Sequence, residues 1–245
     1  MQVSQFEIYR ICQRALEGLG APYGIDRDGA AAAVWLEARR MPGLALLAGD
    51  LERLEKSDAF AGLTARMSGA GSAELDAGGR PTIVFAGAAV DFLMLLALRA
   101  PDGRGLLTID HCRSPLFLLP AAVAAVSAEA SLSLAWSEVV VDIGACGLLL
   151  RGASGRSRQV ALGEAGPVTA KLEYHRSVPP VASGPAPKDG SIEAELTRAH
   201  DRSLQEGIGV DERLWRRLSA IAARVQVPAS EVSRQKGAGG GDANA

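Results

Sequence analysis

The stretch "IDHCRSPLFLLP", residues 109–120, sets His111, Cys112 and Arg113 side by side where a strand-like run hands over to a helix-like one. Imidazole and thiol could form a nucleophilic dyad if they met in space. Neighbours on a strand point to opposite faces, which keeps them apart. The plainer expectation for His111 is a loop histidine hydrogen-bonded to backbone. Arg39, Arg40 and Arg113 could grip a carboxylate or phosphate, because guanidinium pairs bidentately with such groups. The competing expectation is a set of solvated charges at helix ends, since Arg is abundant in this chain. His111, Arg113, Arg39 and Arg40 are the candidate ligand-binding residues.

Other chemistry-bearing residues carry less. "DAGGRP" at 76–81 and "DIGACG" at 142–147 are glycine-bearing turns. Neither matches G-x-G-x-x-G or a P-loop, the patterns that cradle phosphates. Glu138 and Asp142 near strand ends could pair as carboxylates. His175 and His200 stand alone and are expected at the surface. No Ser/His/Asp order or metal-ligand spacing stands out, and no metal is expected.

The elements that position these residues follow from periodicity. Ser4 with Glu7 forms a capping box and opens a first helix that Gly18 and Gly20 end. A second helix is expected from Asp26 to about Arg40, and a third from Leu44 to about Lys56. Residues 57–81, rich in Gly and Ala, mark a transition. Strand-like "TIVF", "GLLTI" and "SLSLAW" then alternate with helix-like "AAVDFLMLLALRA" and "PLFLLPAAVAAVSAE", which argues a βαβα unit. "EVVVDI", "CGLLLRG", "RQVAL" and "PVTAKLEYH" suggest an antiparallel meander. Helices resume from Ile192 to about Glu206 and from Val210 to Val225. The expected division is an N-terminal helical segment at 1–56, an α/β core at 57–176, a linker at 177–190, C-terminal helices at 191–236 and a disordered tail at 237–245.

Composition bounds the rest. The 245 residues are 48% hydrophobic and 22% charged, with net charge -2, so neither nucleic acid nor an anionic membrane is expected as a partner. The three cysteines, Cys12, Cys112 and Cys146, lie far apart and read as buried free thiols in a reducing compartment. The N-terminus lacks the charge and apolar pattern of a signal peptide. The longest apolar run is broken by Pro120 and Glu129. A soluble cytoplasmic protein is expected.

Several stretches resemble the malate/L-lactate dehydrogenase family, the sulfolactate-dehydrogenase-like NAD(P) enzymes. "VSQFEIYRICQRALEGLG" is similar to that family's opening, and "LLAGDLERL" to the end of its third helix. "LLTIDHCRSPLFLLPAAVAAVSAEASLSLAWSE" resembles its strand, catalytic loop, helix and strand. "RSLQEGIGVDERLWRRLSAIAARVQV" resembles its C-terminal helices. The opening "EIYRICQRALEGLGAPYGI", with "VPASEVSRQKGAG" near the end, also resembles an uncharacterised bacterial family, domain of unknown function 3726. The dehydrogenase resemblance implies an α/β fold with N-terminal helices, a small mixed sheet containing a βαβα unit and C-terminal helices. That fold is a reduced version, because family members are longer, and it is not a standard Rossmann fold. It also implies a dimer with its site near the subunit boundary.

The departures from the family pattern bear on function. Where the family carries "RGHDSHGVxR", this chain reads "EARRMPGLAL". Pro42 stands at a substrate-binding histidine and Leu46 at the carboxylate-binding arginine. Where "NSNHFG" supplies the proton donor, Pro115 stands, and proline cannot exchange a proton. His111 lies earlier and would need a gap to replace it.

An active dehydrogenase is therefore not expected. A non-catalytic small-molecule-binding or accessory protein is the first expectation. The alternatives are an NAD(P)-dependent oxidoreductase or other enzyme rebuilt around His111 and Arg113, and a structural or assembly partner. No cofactor is expected, with NAD or NADP as the alternative. The expected partners are a small carboxylate and a second copy or related chain. The apolar stripes at 44–54 and 214–225 are candidate interface faces.

Overall fold

The computed structural model describes residues 1–144, 147–152, 163–177 and 192–225. Cys146, "RQVAL", the linker beyond Ser177 and the tail at 237–245 lie outside the described residues.

The chain opens with β1 (Gln2–Val3) and α1 (Gln5–Gly18). The capping box is present: the Ser4 hydroxyl accepts from the Glu7 amide at 3.2 Å, and the Ser4 amide donates to the Glu7 carboxylate at 2.7 Å. These bonds satisfy donors that a helix start leaves open. α1 buries Ile8, Cys12, Ala15 and Leu16 against α2 (Ile25–Ala38). A tight turn through Arg40, at φ 59°, leads into α3 (Gly43–Leu54). Pro42 offers α3 no capping side chain. Glu37 supplies one from the previous helix, accepting from the Leu44 amide at 2.7 Å.

Next come β2 (Ala65–Gly69), β3 (Ser72–Asp76), α4 (Ala86–Arg99), β4 (Arg104–Cys112) and α5 (Leu118–Ala125). β5 (Ser131–Trp136), β6 (Val139–Gly144), β7 (Gly147–Gly152) and β8 (Val168–His175) follow. α6 (Ile192–Glu206), β9 (Ile208–Gly209) and α7 (Glu212–Ala222) close the described chain. The fold is mixed α/β, and the described residues form a seven-stranded sheet in the order β2-β3-β4-β8-β5-β6-β7. Among the described residues only β3 and β4 pair in parallel, joined through α4. β1 and β9 form a separate two-stranded ribbon that ties the chain start to the C-terminal helices.

Two details differ from the sequence expectation. "TIVF" is not the strand before α4; Thr82–Val84 is a 3-10 turn with Thr82 and Ile83 buried. The strand is β3, inside the stretch read as a transition. "SAELD" and "ARMSG" have too little apolar alternation to announce strands, because β2 is an exposed edge and β3 buries only Ala73 and Leu75. β8 does not extend the β5–β6–β7 meander. It inserts between β4 and β5, antiparallel to both, and lines Ala170, Leu172 and Tyr174 up with the buried face of its neighbours.

The apolar stripes of α3 and α7 also have a different fate. Leu47, Leu51 and Leu54 are buried in the chain's own core, as are Leu218, Ile221 and Ala222. Leu214 is partly buried and Val225 is exposed, so most but not all of the two stripes faces the chain's own core. No helix among the described residues is long and apolar enough to cross a membrane.

Gly105 sets how closely α4 sits on β4. A Cβ there would lie 2.5 Å from the Leu93 carbonyl oxygen, which is backbone and cannot swing away. Gly105→Ala is expected to destabilise the fold by about 1–3 kcal/mol, the usual range for overpacking. A urea unfolding midpoint unchanged from wild type would refute this reading of the helix–strand approach.

Candidate functional site

In open α/β sheets, ligands bind outside the carboxyl ends of the parallel strands. Here β3 and β4 end side by side, and the loops that follow are stitched together. The Ala77 amide donates to the Asp110 carbonyl at 2.8 Å, Gly79 to His111 at 2.9 Å and Thr82 to Arg113 at 2.9 Å. The β4–β8 register shifts between Ile109 and Cys112, so β4 bulges at its end. His111 at φ 51° and Ser114 at φ 53° both take left-handed backbone, which costs about 1–3 kcal/mol for a non-glycine residue. The surrounding hydrogen bonds hold that strain in place.

The strained loop sends its side chains in different directions. His111 faces solvent, and its Nδ1 lies 2.9 Å from Asp76 Oδ1, with the two side chains 65% and 68% exposed. Its partner is thus a carboxylate rather than the backbone. A proton on Nδ1 shared with Asp76 leaves Nε2 open to solvent. Cys112 faces the core, and burial pushes its thiol up to about 11. It is neither a thiolate at neutral pH nor within reach of His111 as a dyad.

Arg113 turns inward. Its Nε donates to Asp50 Oδ1 at 3.0 Å, and the Ser114 hydroxyl donates to Asp50 Oδ2 at 2.6 Å. Asp50, on α3, is fully buried. Burial raises its carboxyl above the ordinary value, and the bonds from Ser114 and Arg113 oppose that rise. Pro115, at the position that resembles the proton donor, is buried at the start of the 3-10 turn Pro115–Phe117.

Arg39 and Arg40 part company. Arg39 stacks on the Trp35 ring at 4.0 Å and donates to the Trp35 carbonyl at 3.2 Å. Burial lowers its guanidinium below the ordinary value. Arg40 lines a cleft of about 560 Å³ between the α2–α3 turn and α6, together with Glu37, Pro42, Arg202, Ser203 and Glu206. Arg40 and Arg202 form no ion pair or side-chain hydrogen bond among the described residues. Burial raises the Glu37 carboxyl above its ordinary value, and the bond from the Leu44 amide opposes that rise.

The four candidate residues therefore fall in four settings: His111 beside Asp76, Arg113 on Asp50, Arg39 on Trp35 and Arg40 in the cleft. Asp50, Asp76 and Arg202 were not singled out from sequence. Asp50 had one visible signal: it is the charged residue inside the apolar "LLAGDL". Asp76 sits in a turn noted only for its glycines. Arg202 had no signal. Of the remaining expectations, Glu138 lies in the β5–β6 turn while Asp142 sits farther along β6. His175 is paired with Glu173 at 2.7 Å, and Glu173 also accepts from Arg104 at 2.7 Å.

Comparison with known proteins bears on this fold. Residues 3–82 match a family described as "Protein of unknown function (DUF3726)". No curated protein matches the sequence. Among solved structures, the dehydrogenase from Sinorhizobium meliloti is similar at TM-score 0.67 and 13% identity, over 91% of this chain and 99% of that one. A putative malate/lactate dehydrogenase from E. coli is similar at TM-score 0.64 and 9% identity, over 96% and 98% of the two chains. The sulfolactate dehydrogenase from Methanocaldococcus jannaschii is similar at TM-score 0.61 and 10% identity, over 90% and 96%. The fold is malate/lactate dehydrogenase-like.

The His111–Asp76 pair carries a pH signature. The hydrogen bond to Asp76 raises His111 above 6.5. The bonds from His111 and then from the Gly78 amide lower Asp76 below 3.8. His111's contribution to stability is complete below pH 6.5 and is lost as pH rises through its raised value. That of Asp76 is present above pH 3.8 and is lost as pH falls through its lowered value. An NMR titration is expected to place the His111 imidazole above 6.5, and Asp76→Asn to bring it back down. Identical titration curves for the two proteins would sink the pairing.

Proposed function

We propose that this protein, built on a malate/lactate dehydrogenase-like fold, binds a small carboxylate and does not reduce it. One observation carries the reading. Arg40 and Arg202 line the same cleft without a carboxylate partner among the described residues, and Pro42, which resembles a substrate-histidine position, lines it too. Two unpaired guanidiniums in one concavity are suited to an anionic ligand with planar oxygens. Glu206 in the same lining restricts the site to ligands of low charge.

Two features argue against dehydrogenase chemistry. Pro115 and Pro42 have no exchangeable side-chain proton. Leu46, at the position resembling the carboxylate-binding arginine, is buried in α3. The glycine-bearing turn after β3 also fits a dinucleotide pyrophosphate poorly. Its amides already donate within the protein: Ala77 to Asp110, Gly78 to the Asp76 side chain, Gly79 to His111 and Arg80 to Ala77. A phosphate cradle needs such amides free.

A second reading, an enzyme rebuilt at the carboxyl ends of β3 and β4, draws on the His111–Asp76 pair. A carboxylate that orients an imidazole and leaves Nε2 open is the arrangement of a general base. A homodimer is the proposed assembly, its contact lying away from the stripes of α3 and α7. Leu95 and Leu98 form an exposed apolar pair on α4 suited to such a contact.

Calorimetry and thermal shift with pyruvate, lactate and L-malate test the first reading, since a ligand of the native state raises apparent stability. The double variant Arg40→Ala/Arg202→Ala is expected to weaken binding by about tenfold or more, the loss of at least one charge-assisted contact. Binding that survives in the double variant would reject this cleft. Steady NADH oxidation with pyruvate would reject the whole reading, and its loss in His111→Ala would favour the second. Light scattering tests the assembly; a mass of 25.4 kDa at all concentrations would reject the dimer.

A further inference from the structure

A second cleft takes Arg80 from the 77–82 turn into its lining and shares no residue with the Arg40–Arg202 cleft. It encloses about 610 Å³ between the 60–65 segment, the β2–β3 hairpin and α4. Phe60, Leu63, Met67, Leu75, Phe85 and Phe92 form its walls, and Arg80 is the charged residue of its lining. Its size is within the range of small-molecule sites, which are mostly apolar with a few placed polar groups.

Arg80 is incompletely satisfied by the protein. Nη1 donates to the Ala61 and Gly62 carbonyls at the long distances of 3.4 and 3.3 Å. Nε is buried with no acceptor. A buried donor left open costs about 1–3 kcal/mol, more when charged. The carboxylates that feel the charge of Arg80 are Asp58 and Asp76. Each is held by another cation: Asp58 by Arg53 at 2.7 Å, and Asp76 by His111 at 2.9 Å. Arg80 thus lines an apolar cleft and has no ion-pair partner among the described residues.

We propose that this cleft binds an amphipathic monocarboxylate, its apolar body against the aromatic and aliphatic walls and its carboxylate on the Arg80 guanidinium. One cation in the lining matches one negative charge. Asp58 and Asp76 nearby disfavour a second. The apolar walls exclude a ligand that is polar throughout, so this site and the Arg40–Arg202 cleft select different carboxylates.

The probes are hexanoate, octanoate and 1-octanol, with binding to the full chain measured by calorimetry. Octanoate is expected to bind more tightly than hexanoate by about fourfold per added methylene, the factor equivalent to ~0.8 kcal/mol per buried CH₂. It is expected to bind at least about tenfold more tightly than 1-octanol, as a charge-assisted contact implies. Arg80→Met should remove the preference for octanoate over 1-octanol while leaving 1-octanol binding in place. Ala88→Trp, at an exposed position of α4 that lines the cleft, should abolish binding of both and leave the fold intact by circular dichroism. No octanoate binding at millimolar concentration, equal binding of octanoate and 1-octanol, or octanoate binding untouched by both substitutions would each overturn the proposal. Binding of octanoate unaffected by Arg40→Ala/Arg202→Ala is expected, because the two clefts share no lining residue.

Discussion

Asp50 is a carboxylate with no exposed surface in the middle of an apolar helix, and such a group is costly to hold unless its oxygens are satisfied. Both of its bonds come from consecutive residues on the loop beyond β4, Arg113 through Nε and Ser114 through its hydroxyl. Two side chains adjacent in sequence reach one carboxylate only if the backbone between them bends sharply. Ser114 does so in the left-handed region, and the register shift at the end of β4 accommodates the bend. A buried pair of this kind adds little net stability against an apolar replacement, but it fixes geometry, since removing one partner strands the other. Through it, the N-terminal helices and the sheet meet in one defined orientation.

The rest of the polar architecture follows from that bend. With Arg113 drawn inward, His111 is left on the outside, where Asp76 at the end of the neighbouring parallel strand receives it. The amides of the 77–82 turn are consumed in joining the two loops. At the usual place for a ligand in an α/β sheet, the exposed groups are the His111–Asp76 pair. Two of the clefts among the described residues differ in character. One is polar, at the α2–α3 turn, and the other apolar, behind the turn that carries Arg80. A fold shared with dehydrogenases indicates where such cavities form, while chemistry comes from the residues that line them.

The helical parts of this chain were legible in the sequence because they depend on local rules. The Ser4–Glu7 capping box, the period of α1 and the stripe of α7 are set by neighbours within a turn or two. The opposite facing of His111 and Cys112 also followed from strand geometry alone and survived the bulge. The fold class and its likeness to the malate/lactate dehydrogenases came from patterns spread along the chain.

Tertiary structure alone decided the rest. β2 and β3 were hidden because an edge strand and a polar hairpin lack the apolar alternation that marks a strand, and they exist as strands because β3 pairs with β4 and β2 with β3. The insertion of β8 between β4 and β5 depends on ladder partners distant in the chain. So does the burial of most of the α3 and α7 stripes inside the chain. Arg113 and Arg40 are alike in sequence. One is bound to Asp50 and the other lines a cleft, because a side chain's partners are set by the packing of remote elements.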